Sequence, residues 1–123
     1  MRSGTFALLS FLVVSLPVIA SADAAKDAAW NDAYQQLLKR PADKATNERY
    51  AALSIERKDY ESAIPPLERL SMQSPDDMRY VLQLGEMYQK LDSKAVARSY
   101  FEQVAKHPKS TPEQKAEANK NIQ

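Results

Sequence analysis

Cysteine is absent from all 123 residues, so neither a disulfide nor a thiol nucleophile nor a thiolate ligand is open to this chain. Its redox compartment is therefore left unmarked. Glycine is almost as scarce: there are two, Gly4 and Gly85, and no glycine-rich phosphate loop can be built from them. Histidine occurs once, at His107, which leaves no second imidazole for a metal site or a proton relay. A charge excess is missing too, with 17 Lys and Arg against 16 Asp and Glu. The two signs alternate along the chain and leave no basic stripe for nucleic acid. No apolar run reaches the roughly 20 residues of a membrane-spanning helix. What remains in quantity is Ala, Leu, Glu, Lys and Gln, a composition that favours helix over strand. The length suits one domain.

The N-terminus reads as a secretory leader. Arg2 gives a short positive start, Phe6–Leu16 is an almost unbroken apolar run, and Pro17 ends it. Ala20-Ser21-Ala22 then offers small residues for cleavage before Asp23, with Ala22-Asp23-Ala24 as a second cut. The expected layout is a signal peptide over 1–22 and one domain over 23–123. With no Cys behind the leader, a lipoprotein anchor is not expected. Loss of the leader removes Arg2 and balances the charges at 16 each. Export to a bacterial periplasm is expected, or secretion more generally, with no membrane insertion after cleavage.

Along the exported part, apolar residues recur at helical spacing. Asp27–Lys39 places Trp30, Ala33, Tyr34, Leu37 and Leu38 on one stripe, and Pro41 ends it. Asp43 can cap a second helix running to about Arg57, with a weaker stripe of Tyr50, Ala51, Leu53, Ser54 and Ile55. Asp59 can cap a third, Tyr60–Gln73, carrying Ala63, Ile64, Leu67, Leu70 and Met72. Pro65 and Pro66 lie inside it, and an interior proline costs about 3 kcal/mol. A kink or a start delayed to Pro65 is therefore expected. Ser74-Pro75-Asp76-Asp77 and Thr111-Pro112-Glu113-Gln114 are further helix starts, the second as a capping box. The last helix is mostly polar, with Ala116, Ala118 and Ile122 as its apolar residues.

The chain also repeats. Pro41 and Pro75, Tyr50 and Leu84, Ala51 and Gly85, Ala63 and Ala97, Leu67 and Phe101, and Leu70 and Val104 are each 34 residues apart. Small residues match small and large match large, which marks a stacked repeat. Between Val81 and Pro108 the residues Leu84-Gly85, Tyr88, Ala97 and Phe101 follow a known spacing, with Val81 where an aromatic is usual and Pro108 one residue early. This stretch resembles the tetratricopeptide repeat. The resemblance implies an all-α, right-handed superhelical array of antiparallel helix pairs, with full repeats at about 44–77 and 78–111. Asp27–Lys39 would be the second helix of a preceding repeat, and the C-terminal helix a polar cap. Gly85 and Ala97 would mark the close crossing of one helix pair.

No catalytic constellation can be assembled, and no enzyme activity, cofactor or metal is expected. His107 reads as a residue that meets the carbonyls ending its helix. Asp76 and Asp77 read as helix caps, and Met72, Met78 and Met87 as packing residues. Glu86 with Lys90 and Glu102 with Lys106 have the spacing of solvated i,i+4 pairs. The resemblance implies instead a concave groove that takes a protein or peptide partner. Its expected lining is Glu48, Ala52 and Ile55 on the earlier helix and Arg79, Leu82, Glu86 and Gln89 on the later one. Ala45 lies on the same face. Glu48 and Ala52 stand where the family's basic clamp for a C-terminal carboxylate would begin, so a chaperone-tail receptor is not expected. The reading is an envelope adaptor, with a fixed accessory subunit of a larger envelope or secretion complex as the alternative. So short an array is expected to gain stability from docking on a partner or on itself.

Overall fold

The computed structural model describes residues 21–123, and the leader's charged start and apolar run lie outside the described residues. Those described form six helices: α1 Ser21–Lys39, α2 Lys44–Glu56, α3 Tyr60–Gln73, α4 Met78–Lys90, α5 Lys94–Lys106 and α6 Pro112–Ile122. Each packs against the next in sequence, and α4 also touches α6. No strand occurs among the described residues. The all-helical expectation is met.

The period of 34 is written into the helix ends. Asp43, Asp77 and Thr111 cap α2, α4 and α6, each accepting a first-turn backbone N–H. Thr111 and Gln114 close the expected capping box. The exits match as well. Arg57, Lys58 and Asp59 donate their N–H groups to Leu53, Ile55 and Ser54; Leu91, Asp92 and Ser93 donate theirs to Met87, Gln89 and Tyr88. Lys58 and Asp92 both take the left-handed backbone, at φ 61° and 58°. The same three-residue turn thus reverses the chain twice, at the same point of the period.

Three apolar clusters fill the spaces between helices. Ala33, Leu37 and Tyr50 join α1 to α2, with Trp30 and Leu53 beside them. Ala51, Ala63, Leu67, Leu70, Tyr80, Leu84 and Met87 join α2, α3 and α4. Met78, Val81, Ala97, Phe101, Val104 and Ala118 join α4, α5 and α6. Because it belongs to two clusters, α4 is buried on two flanks, through Met78, Tyr80, Val81, Leu84, Gly85 and Met87. Polar groups inside are paired. Trp30 Nε1 donates to Ser54 Oγ at 2.9 Å. Asn47 Nδ2 donates to the carbonyls of Pro41 and Asp43 at 2.9 and 2.8 Å, stapling the α1–α2 turn.

Several details differ from expectation. Helix α1 begins at Ser21 rather than Asp27. Ala22, Ala24 and Ala25 are strong helix formers, and no apolar stripe was needed to extend it. Helix α3 begins at Tyr60, not at Pro65, with both prolines inside it. Because a proline has no N–H, the carbonyls of Glu61 and Ser62 lose their helical donors. The Asp59 cap on Ser62 and the complete burial of Pro66 and Leu67 offset that loss. The space next to Gly85 is filled by Phe101: a β-carbon there would lie 2.7 Å from its ring. Met72 projects into solvent at 71% exposure, while Met78 and Met87 are buried. Tyr34 and Leu38, assigned to the packing stripe of α1, are 39% and 59% exposed. On α6, Ala116 is exposed, Ala118 is buried, and Ile122 packs half-buried.

Candidate functional site

Identical spacing brings equivalent positions of α2 and α4 onto one side of the molecule. Starting 34 residues apart, they give Glu48 the phase of Leu82 and Ala52 that of Glu86. A cavity of about 460 Å³ opens there. Five of the seven expected residues line it: Glu48, Ala52, Arg79, Leu82 and Glu86. Its apolar floor adds Ala51, Leu67 and Leu70, and Gln114 of α6 reaches its wall.

Two expected residues stand elsewhere. Ile55 packs half-buried on the α2–α3–α4 cluster and does not line the cavity. Gln89 is exposed and donates to Asn121 Oδ1 at 3.1 Å, tying α4 to α6. Ala45 faces a separate depression beside Ala33 and Arg40. Leu82 has two duties, since it lines the cavity and also packs half-buried on the α4–α5–α6 cluster. Sequence reasoning missed Tyr80, Gln83 and Gln114. Tyr80 was legible as part of a stripe with Leu84 and Met87. Gln114 carried no signal beyond its capping role, because only the packing of α6 on α5 and α4 brings it here.

The charges at one end of the cavity are already engaged. Tyr80, itself buried, donates its hydroxyl to Glu48 Oε1. Burial, then the hydrogen bond and charge of Glu48, push the Tyr80 phenol up to about 12. Arg79 grips Asp77 through Nε at 2.9 and 3.2 Å and Nη2 at 2.7 Å, and its guanidinium lies over the Tyr80 ring at 5.3 Å. That grip holds the Asp77 carboxyl below its ordinary value.

Glu86 differs. It is half-buried, and no ion pair to it forms among the described residues. The expected partner Lys90 lies near enough to exert a charge but does not close a bridge. Burial first, and then Glu117, raise the Glu86 carboxyl above its ordinary value, with Lys90 opposing. The other expected pair is also rearranged, as Glu102 bonds Arg98 Nε at 3.1 Å in place of Lys106.

His107 does not turn its side chain onto the carbonyls that end α5. Its Nδ1 accepts the Lys109 N–H at 3.1 Å, which leaves Nε2 as the protonated nitrogen, 3.7 Å from Asp76 Oδ1. Pro108 pulls the chain out of the helix here and turns the imidazole toward the α3–α4 loop. Among the described residues, no three carboxylates or imidazoles converge as a metal site, and no helix is long and apolar enough to cross a membrane.

A second hollow, of about 500 Å³, lies between α1 and α3, where Tyr34, Leu38, Pro41 and Pro65 meet. Comparison with protein-family models and with curated proteins finds no match for this chain.

Proposed function

We propose that this chain is a non-enzymatic protein-interaction module of the cell envelope, built as a short tetratricopeptide-like superhelical array. The partner would lie in the cavity between α2 and α4. The observation that carries this reading is the gathering of Glu48, Ala52, Arg79, Leu82 and Glu86 around one apolar-floored cavity by two helices of equal phase. A mixed lining of this kind, apolar below and polar at the edges, suits a peptide that buries a side chain and hydrogen-bonds its backbone. The leader pattern of residues 1–22 supports export.

Ala52 is the position for a test, because it lines the cavity yet is exposed and belongs to no core cluster. Ala52→Gln should fill the groove without altering charge and should shift stability by no more than about 0.5 kcal/mol. Affinity purification from the envelope fraction should recover partners with wild type and with the outer-face variant Lys94→Glu, but not with Ala52→Gln. Equal recovery by Ala52→Gln would place binding elsewhere.

The exposed Tyr34 and Leu38 beside the second hollow favour one further reading, a subunit held permanently in a larger assembly. Native size-exclusion of the envelope extract separates the two, since a fixed subunit would elute only with its complex.

A further inference from the structure

The charge inventory of the groove narrows the chemistry of its occupant. This inference rests on the reading of the α2–α4 cavity as a docking groove. Its two ends are unlike. At the Arg79 end, the guanidinium is spent on Asp77, and Glu48 keeps its negative charge while one oxygen accepts from the neutral Tyr80 hydroxyl, with Arg79 near enough to act on it. At the Glu86 end, a half-buried carboxylate stands on an apolar floor with no cation bridged to it among the described residues. The charged groups that face it are Glu117 from α6 and Lys90 from its own helix. Lys90 is exposed, and Glu117 accepts from Asn121 Nδ2 at 3.3 Å, with Lys120 Nζ 4.0 Å from its other oxygen.

A carboxylate partly removed from water beside a second carboxylate is an unfavourable arrangement unless something positive completes it. A carboxylate- or phosphate-bearing ligand would meet Glu86 and Glu117 with like charge, which costs affinity. A cationic side chain reaching between them would offset both desolvation and repulsion. At the cavity wall Gln83 carries a donor and an acceptor, and Gln114, whose Oε1 already accepts the Thr111 N–H, adds its amide donor, functions that a peptide backbone needs. The geometry points to an extended peptide whose Lys or Arg sits against Glu86 and Glu117, with an apolar neighbour on the Ala52 and Leu82 side of the groove.

The test uses random dodecapeptides displayed on phage and selected on the purified protein, with enriched sequences then measured as synthetic peptides. Enriched peptides should carry a Lys or Arg a few residues from an apolar side chain. Glu86→Gln with Glu117→Gln should weaken them roughly tenfold, and a peptide with its cation changed to Gln should bind both proteins alike. Ala52→Gln should weaken every one of them. Peptides that are lost on Ala52→Gln yet carry acidic or no charged residues would overturn the cation assignment and leave the groove standing. Peptides unaffected by Ala52→Gln, or no enrichment at all, would overturn the groove itself. Circular dichroism of each variant checks that the fold persists.

Discussion

At the scale of the residue, the consequential contact is Gly85 against the ring of Phe101. Glycine in mid-helix normally costs up to about 1 kcal/mol relative to alanine, so Gly85→Ala would gain in helix propensity alone. Here the added carbon would come within 2.7 Å of the ring, and Phe101 is 1% exposed with no room to retreat. Overpacking of that kind costs about 1–3 kcal/mol. Gly85→Ala should therefore be net destabilising, read as a lower midpoint of urea unfolding; an unchanged or higher midpoint would show that the ring can move. Glu86 gives the opposite prediction. Its carboxyl is raised chiefly by burial, so the folded protein binds that proton more readily than the unfolded chain. Its contribution thus favours the fold below the ordinary carboxylate range and is lost as pH rises through the raised value. Glu86→Gln should then unfold later than wild type at neutral pH, with the difference vanishing below about pH 4. A stabilised variant that binds less well would also separate recognition from folding.

At the scale of the element, the two tight turns make a controlled comparison. Lys58 and Asp92 share the left-handed conformation and the same three hydrogen bonds, and only their side chains differ. An ordinary side chain there costs about 1–2 kcal/mol, while Asp tolerates the region through local hydrogen bonding. Lys58→Gly should raise stability by up to about 1 kcal/mol after the entropy of the unfolded chain is deducted, and Asp92→Gly should gain less. Thermal melts of the two single variants decide it; equal gains would mean that Asp92 draws no relief from its own side chain. The start of α6 follows another rule. Thr111 and Gln114 each satisfy a donor of the other, so Thr111→Ala should cost about 1 kcal/mol. Because Gln114 also reaches the groove, that variant should weaken peptide binding beyond its effect on stability.

At the scale of the whole molecule, the helices form a line in which each leans on its neighbours, and the ends of the line are unequal. Helix α6 covers the third cluster through Ala118 and Ile122. A chain ending at Ser110 should melt lower and bind a hydrophobic dye over Met78, Val81 and Leu82; a wild-type melt would mean α6 is a dispensable cover. What the sequence determined by itself was local: helix starts at Asp43, Asp59, Asp77 and Thr111, the 34-residue period, and the all-helical class. Those follow from capping and periodicity, which act within a few residues. The groove was legible in part, because Glu48, Ala52, Leu82 and Glu86 hold equivalent phases on helices of equal start. What only the tertiary structure decided depended on which neighbour filled a given space. Phe101 comes nearest to Gly85 because its ring fills the space a β-carbon would need. Ile55 and Gln89 left the groove because the core drew the first and α6 the second. Arg98 took Glu102 from Lys106, since an exposed charge has more than one partner in reach. The half-burial of Glu86 arises from the packing of α2, α3, α4 and α6 around one cavity, and its desolvation exists only once they are assembled.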